Sequence, residues 1–423
     1  MSVGFRPCRA QNPQTEVCAP FPDETVHILL VNEYFPPDTS ATAKFIAPIA
    51  EALSVNHRVT VLAGRPSYDP SEIHPRYLLR RKVRGNLVIE RMGSTAYPRF
   101  QMRHRVSNYL TYLLLAIPRA LSIPSDLVLA MTDPPIEGIA GALVARLSGR
   151  PFVYNIRDMY PDMAVGGSIV RPGSFTARWE AMHRWALRQA ARVIVLGEDM
   201  RDRIVAKGVD PGRVVISRDG ISIPETVPSS ENSVAHEIRG DFRFVLVHAG
   251  NLGFYGAWQT LISAVRMLEQ EGVGLVFIGE GAMKPQVEAM AQGCRAVRFL
   301  PFRPASEVPL VLSSGDLHVV TVKRGLEGVV VPSKLYPTLA AGRPVLGVAP
   351  EECDVVRIIR RTGCGLAANP DDPTSVAEAI RSVLHDSEQL QTMGRRARES
   401  AFAYDRVKQL KIFSETLEDA VRG

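Results

Sequence analysis

The chain has 423 residues, 46% hydrophobic, 22% charged and 7% aromatic, with a formal net charge of +6. It is too long for one ordinary domain, suits two of roughly 200 residues each, and can bury two cores without staples. Its five cysteines (Cys8, Cys18, Cys294, Cys353 and Cys364) are scattered, with no Cys-x-x-Cys or Cys/His spacing, which favours a reducing compartment and argues against structural zinc.

Residues 1–24 are polar, proline-containing and without period, and are expected to be a flexible extension with no signal peptide. From Thr25 the pattern is strand, turn, helix, repeated. Val26–Val31 reads as a buried strand, Asn32–Thr39 as a loop, Ser40–Leu53 as a helix and His57–Ala63 as a second strand. Between Arg76 and Arg105 nine Lys or Arg meet one acid, Glu90, so nine minus one gives +8 in 30 residues, more than the whole-chain excess. An apolar run of nine residues, Tyr109–Ile117, follows; a membrane span needs about 20, so nothing here is expected to cross a bilayer. The basic-then-apolar stretch Arg76–Ile117 suits peripheral contact with an anionic membrane or a diphosphate-bearing acceptor, and equally a solvated arginine-rich face.

Leu87–Glu90, Leu127–Ala130, Pro151–Ile156 and Arg192–Leu196 read as further strands, with a helix from after Pro135 to about Leu147. A Ser/Glu/Pro-rich stretch, Pro224–Gly240, then interrupts the alternation, which restarts with strands at Phe244–Val247, Leu275–Ile278, Ala296–Phe299, Leu317–Thr321 and Pro344–Val348. Helices at Thr374–Leu384 and about Asp405–Val421 close the chain. Alternation of this kind implies parallel sheets covered on both faces. The expected division is an extension over 1–24, a first Rossmann-like domain over 25–225, a linker over 226–240, a second domain over 241–402, and a C-terminal helix over 403–423 able to pack back on the first domain.

In open parallel sheets ligands bind beyond the carboxyl ends of the strands, so the loops there carry the candidates. After the second domain's first strand comes His248-Ala249-Gly250-Asn251-Leu252-Gly253, whose glycines admit close backbone approach to a ligand. It is no dinucleotide fingerprint, and a plain strand-to-helix turn explains it as well. Val331-Pro332-Ser333-Lys334-Leu335 opens a helix expected to run to about Ala341. It offers N–H groups, a hydroxyl and an ammonium together, which suits a diphosphate. Lys323, Arg324 and Glu327 precede it, two cations for phosphates and a carboxylate for sugar hydroxyls, or simple exposed loop charges. In the first domain, Asn155–Asp162 (NIRDMYPD) sets Asp158, Tyr160 and Asp162 at a strand end, although Asp162 also suits a helix cap.

In this order and spacing several segments resemble the group-1 glycosyltransferases of family 4, in the branch that builds bacterial O-antigen, capsule and exopolysaccharide. They include ILLVNEYFPPDTSATAKFIAPIAEAL, HRVTVLAG, TDPPIEGIAGALVARLSGRPFVYNIRDMYPD, HAGNLG, FIGEGAMKPQVEAM, VRFLPFRP, VVVPSKLYPTLAAGRPVL and TGCGLAANPDDP. The resemblance implies an α/β chain of GT-B fold, two Rossmann-like doubly wound domains facing across a cleft. It implies a nucleotide-diphosphate-sugar donor, UDP-linked by family habit, retention of anomeric configuration, no cofactor and no required metal. Gly250, Asn251 and Gly253 would then approach the donor diphosphate, and Pro332, Ser333, Lys334 and Leu335 would hold its phosphates. Gly279, Glu280, Gly281 and the Leu300–Arg303 loop, with Phe302 and Arg303, would border the base. Thr39 and Ser40 would face the donor across the cleft, while Asp158, Tyr160 and Asp162 would border the acceptor.

Three departures stand out. The Glu-x7-Glu pair common in the family falls on Val329 and Pro337, leaving Glu327 as the nearby carboxylate. A common glycine pair appears as Thr39-Ser40, and a common basic residue is replaced within Phe254-Tyr255-Gly256. No acidic pair is placed for two-carboxylate chemistry, so the acceptor hydroxyl is expected to attack on the face of the departing diphosphate, whose oxygen takes the proton. Asp158 is the candidate for orienting the acceptor or serving as base, with Glu327 and Lys334 completing the catalytic set. The expected acceptor is lipid-linked (polyprenyl diphosphate) or a saccharide, the place of action is the cytoplasm at the inner membrane face, and no nucleic acid is involved. A catalytically silent sugar-nucleotide-binding partner, and an epimerase or hydrolase on the same scaffold, are the competing expectations.

Overall fold

The computed structural model describes residues 25–67, 77–98, 101–229 and 231–423. The expected extension over 1–24, with Cys8 and Cys18, and the cations Arg76 and Arg99 lie outside those residues.

The first half is an eight-stranded sheet. Its strands are β1 (His27–Val31), β2 (Arg58–Ala63), β3 (Leu79–Arg84), β4 (Leu87–Met92), β5 (Leu127–Ala130), β6 (Phe152–Asn155), β7 (Arg192–Val195) and β8 (Val214–Ile216). Their order is β3-β4-β2-β1-β5-β6-β7-β8, and only β3 runs antiparallel to its neighbour. The intervening helices are α1 (Ala41–Asn56), α2 (Met102–Ser122), α3 (Glu137–Ser148), α4 (Asp162–Gly166), α5 (Ser174–Gln189) and α6 (Glu198–Ala206). Strands such as β1, with Leu29 and Leu30 fully buried, are covered on both faces, which is why they read as continuous apolar runs.

The second half begins with α7 (Ser233–Arg239) and forms a six-stranded, all-parallel sheet ordered β11-β10-β9-β12-β13-β14. These strands are β9 (Phe244–Ala249), β10 (Val273–Ile278), β11 (Val297–Leu300), β12 (Leu317–Thr321), β13 (Val345–Val348) and β14 (Gly365–Ala368). The helices are α8 (Trp258–Met267), α9 (Lys284–Met290), α10 (Val308–Ser313), α11 (Leu335–Ala340), α12 (Asp354–Thr362), α13 (Pro373–Arg381), α14 (Ser387–Ala401) and α15 (Arg406–Arg422). Strand order reverses between β1 and β5 in one sheet and between β9 and β12 in the other, and those switch points set the two ligand crevices.

The last helix, α15, returns to the first half: Phe413, Leu417 and Ala420 join the cluster built on Ile28, Leu30 and Ile46. Another apolar cluster crosses between the halves, joining Ile156 and Met159 to Leu326, Val329 and Val330.

Four expectations need correction. The segment taken as a linker contains α7, capped by the Asn232 side chain on Ala235 N–H (2.9 Å), because Val234 and Ile238 pack against Val245, Val247 and Val311. The apolar run Tyr109–Ile117 is the middle of a 21-residue amphipathic helix, α2. Strands β3, β8 and β14 and helix α14 were among the elements that went unread. Finally, α11 begins at Leu335, so Pro332 and Ser333 form a turn ahead of the helix (Leu335 N–H to Pro332 O, 3.1 Å).

Candidate active site

The second sheet's crevice is built by backbone packing. Gly250 has φ 127° and Gly279 φ 141°; a Cβ on Gly279 would stand 2.4 Å from the Gly250 carbonyl, so only glycines let these two loops meet. The Lys334 side chain lies against the same turn: a Cβ on Gly250 would sit 2.5 Å from Lys334 Cε. Lys334 Nζ donates to Asn251 O (3.1 Å) and to the Tyr255 hydroxyl (3.0 Å), and stands 5.3 Å over the Tyr255 ring. Burial pulls this ammonium down to about 8, low for a lysine and still mostly charged at neutral pH. The Gly250–Gly253 turn it meets is anchored by Trp258 Nε1 donating to Gly253 O (2.8 Å) and by buried His248 next to Val319 O (3.2 Å), whose imidazole burial holds well below its ordinary pKa.

A cavity of about 230 Å³ opens beside this contact, and Gly250, Lys334, Phe302, Arg303, Pro337 and Thr338 are among its walls. Four of the donor-side candidates thus meet: Gly250, Phe302, Arg303 and Lys334. Arg303 is braced by Glu237 of α7 and by Glu307 (3.3 Å), while the Phe302 ring is 70% exposed at the rim. Pro332 and Ser333 sit half-buried next door, and Leu335 is buried in the core.

Other candidates go elsewhere. Arg324 turns outward to Asp371 (2.5 Å), and Lys323 stands 5.8 Å over the Phe254 ring. The Glu327 carboxylate accepts from Gly325 N–H (2.7 Å) and from Arg203 of α6 (3.3 Å). Val329, at one position of the missing Glu pair, is 1% exposed and accepts through its carbonyl from Met159 N–H (3.3 Å), an environment that would penalise a carboxylate. Ser40 is 4% exposed and caps α1, its Oγ accepting from Ala43 N–H (3.0 Å), whereas Thr39 beside it is exposed.

On the opposite wall, the loops after β1, β5 and β6 bring carboxyls together. Asp158 is pushed up to about 7, first by burial, then by Asp133, with Arg157 opposing. Asp133 accepts a hydrogen bond from Thr42 Oγ1 at the start of α1. Glu137 is fully buried; burial and the nearby Glu33 drive its carboxyl well above the usual range. Glu33, Asp133 and Glu137 were missed; Glu33 and Asp133 lie just beyond the carboxyl ends of β1 and β5, which was the available signal, and Glu137 opens α3. Tyr160 stacks on Trp179 (5.8 Å between centroids, 13° between planes). Asp162, the first residue of α4, is held by Lys207 (2.9 Å) and Arg203 (3.7 Å). The Asp158 loop therefore meets the 325–330 loop of the other half at the Met159–Val329 contact.

Residues 40–220 match the glycosyl transferase 4-like domain family, and residues 230–400 match glycosyl transferases group 1. The protein named "Probable glycosyltransferase WbjE" from Pseudomonas aeruginosa is 26% identical over 299 residues, 68% of this chain and 74% of its own length. WcaI of Escherichia coli K12, named for colanic acid biosynthesis, is 25% identical over 252 residues, 57% of this chain and 62% of its own. Anabaena HepE, crystallised with UDP, superposes with a TM-score of 0.65 at 16% identity, covering 93% of this chain and 100% of HepE. The two sheets facing across a crevice are the GT-B architecture that such structures share, and the two domain matches fall one on each half. The chain belongs to the group-1 glycosyltransferases of family 4.

Proposed function

We propose that this chain is a retaining, metal-independent glycosyltransferase that moves a sugar from a nucleotide-diphosphate donor, UDP-linked, to a lipid-linked or saccharide acceptor in cell-surface polysaccharide synthesis. The observation that carries the reading is the meeting of Lys334 with the Gly250–Asn251 turn at the edge of the 230 Å³ cavity. A half-buried ammonium beside backbone that only glycine permits is a seat for a pyrophosphate, with the apolar cavity and Phe302 left for the base. The HepE structures with UDP and UDP-glucose support the donor class, the name of WbjE supports the activity, and the colanic acid name of WcaI supports the pathway.

In the reaction the bond between the anomeric carbon and the diphosphate oxygen breaks as the acceptor oxygen bonds to that carbon from the same face. The acceptor proton passes to the departing diphosphate oxygen, or to Asp158 where the acceptor is oriented by it. Lys334 offsets the charge that builds on the leaving group, a role that needs no metal. Closure between the halves keeps water from the sugar.

A lipid-linked acceptor is supported by the first half's surface. Strand β3 exposes Arg80, Arg81, Lys82 and Arg84, and α2 exposes Met102, Val106, Leu110 and Leu114 at successive four-residue intervals. Arg80, Lys82 and Arg84 line a cavity with Ala47 and Glu51 of α1, while Arg81 shares Glu90 with Arg119 of α2. An exposed cationic strand and an exposed apolar stripe each suit the inner face of a cell membrane, met peripherally. Among the described residues no helix is long and apolar enough to cross it.

The test is transfer of labelled sugar from UDP-, GDP- and TDP-sugars to a polyprenyl-diphosphate-linked acceptor by wild type and Lys334→Ala. Transfer from a UDP-sugar, reduced about 100-fold or more in the variant, is expected. No transfer from any donor, or an unaffected variant, would refute the proposal.

A further inference from the structure

We infer that the hinge between the two halves holds a second anion site, separate from the donor cavity, that takes a phosphoryl group. A cavity of about 200 Å³ lies where the chain leaves β8 and where α15 returns, and it shares no wall residue with the cavity around Lys334. Its charged walls are Lys44 of α1, Arg157 beyond β6, Arg218 and Asp219 beyond β8, and Arg406 of α15. Four cations thus face one carboxylate. That carboxylate is taken: Asp219 pairs with Arg157 at 2.5 Å. Arg218 spends one Nη on Asp354 of the second half (2.8 Å), yet its Nε is buried without a partner among the described residues. Lys44 and Arg406 make no ion pair among the described residues.

Buried polar groups are ordinarily satisfied, and like charges gathered around a confined space repel unless an anion sits among them. The site is also held in place. Arg157 stacks 4.5 Å over the Phe45 ring. Gly220, at φ 65°, lets the first turn of α15 come close, since a Cβ there would stand 2.8 Å from Arg406 Cα. Ile221 N–H to Tyr404 O (2.9 Å) and Arg406 N–H to Ile221 O (3.0 Å) lock that approach. Arginine forks and an ammonium around a space of this size match the oxygens of a phosphoryl group. Two sources share that chemistry: the diphosphate of a lipid-linked acceptor, and free inorganic phosphate or pyrophosphate.

The experiment titrates inorganic pyrophosphate into the full chain of Lys334→Ala and of the triple variant Lys334→Ala/Lys44→Gln/Arg406→Gln by calorimetry, and separately UDP into wild type and the double variant Lys44→Gln/Arg406→Gln. The inference expects pyrophosphate to bind Lys334→Ala still, and to bind the triple variant about tenfold more weakly or worse, while the double variant keeps wild-type UDP affinity. Undiminished pyrophosphate binding by the triple variant relative to Lys334→Ala, or its complete loss in Lys334→Ala, would overturn the hinge site and leave the donor site standing. Retained UDP affinity doubles as the check that the double variant is folded. Farnesyl diphosphate then separates the sources. Binding that exceeds pyrophosphate about tenfold and depends on Lys44 and Arg406 assigns the site to the acceptor, and equal affinities assign it to a free anion.

Discussion

Asp158 is the side chain whose environment most favours acid–base work. Its carboxyl, raised to about 7 by burial and Asp133, is protonated below neutrality and ionised above it. Only the ionised form can accept or orient an acceptor proton, so kcat/KM is expected to rise with pH through about 7. Asp158→Asn should lose that rising limb and about 100-fold in rate; a pH profile of both enzymes checks it, and an unchanged limb would assign the titration elsewhere. Across the crevice, Gly250→Ala adds a Cβ 2.5 Å from Lys334 Cε at φ 127°, so the lysine must swing away. UDP affinity is expected to fall about tenfold, with a backbone cost of about 1–3 kcal/mol, read by calorimetry and thermal melting. Lys334, Gly250 and Asp158 were legible in the sequence because each sits directly past a strand or at a helix start. The commitment of Glu327 and Asp162 to Arg203 was not, since those ion pairs depend on neighbours distant in sequence.

Strands buried on both faces announced themselves as apolar runs, and a strand with no buried face did not. Strand β3 (LRRKVR) is exposed at every position, so it has no apolar alternation to read, yet it pairs with β4 along its whole length. In contrast Arg91, counted with the same basic run, is 8% exposed and donates to the carbonyls of Gly64 (3.2 Å) and Phe35 (3.1 Å), so it is part of the scaffold. Helix α7 was hidden by its polar composition, which describes its outer face only. If β3 and α2 contact an anionic bilayer, each cation near the surface contributes about 1 kcal/mol. The triple variant Arg80→Gln/Lys82→Gln/Arg84→Gln should therefore lose about 3 kcal/mol of binding to phosphatidylserine-containing vesicles. Arg81 is left in place because it also lies 3.6 Å from the Glu90 carboxylate. Co-sedimentation at low and high salt checks this; binding that ignores both the substitutions and salt would remove the strand from the membrane reading.

At the scale of the whole molecule, two doubly wound halves were evident from alternation, but how they grip one another was not. The grip is a set of long-range contacts: Asp199 accepts from Asp354 N–H (3.0 Å), Asp354 from Glu198 N–H (2.9 Å), and Arg203 reaches across to the 325–327 loop. Arg203 donates to the carbonyls of Gly325 (2.8 Å) and Glu327 and pairs with the Glu327 carboxylate. It thus ties the half bearing Asp158 to the loop that leads into Lys334. Removing it leaves the donor cavity's own walls in place, since none of them contacts Arg203. Arg203→Ala is therefore expected to keep the wild-type Kd for UDP. Its kcat should fall about tenfold to 100-fold, because reacting groups on opposite halves lose their alignment. Water should also enter the loosened crevice, so donor hydrolysis should rise relative to transfer. Calorimetry, transfer kinetics and a count of free sugar released per sugar transferred test the three parts together. A variant with weakened UDP binding and an unchanged hydrolysis ratio would show that Arg203 shapes the donor seat and not the closure.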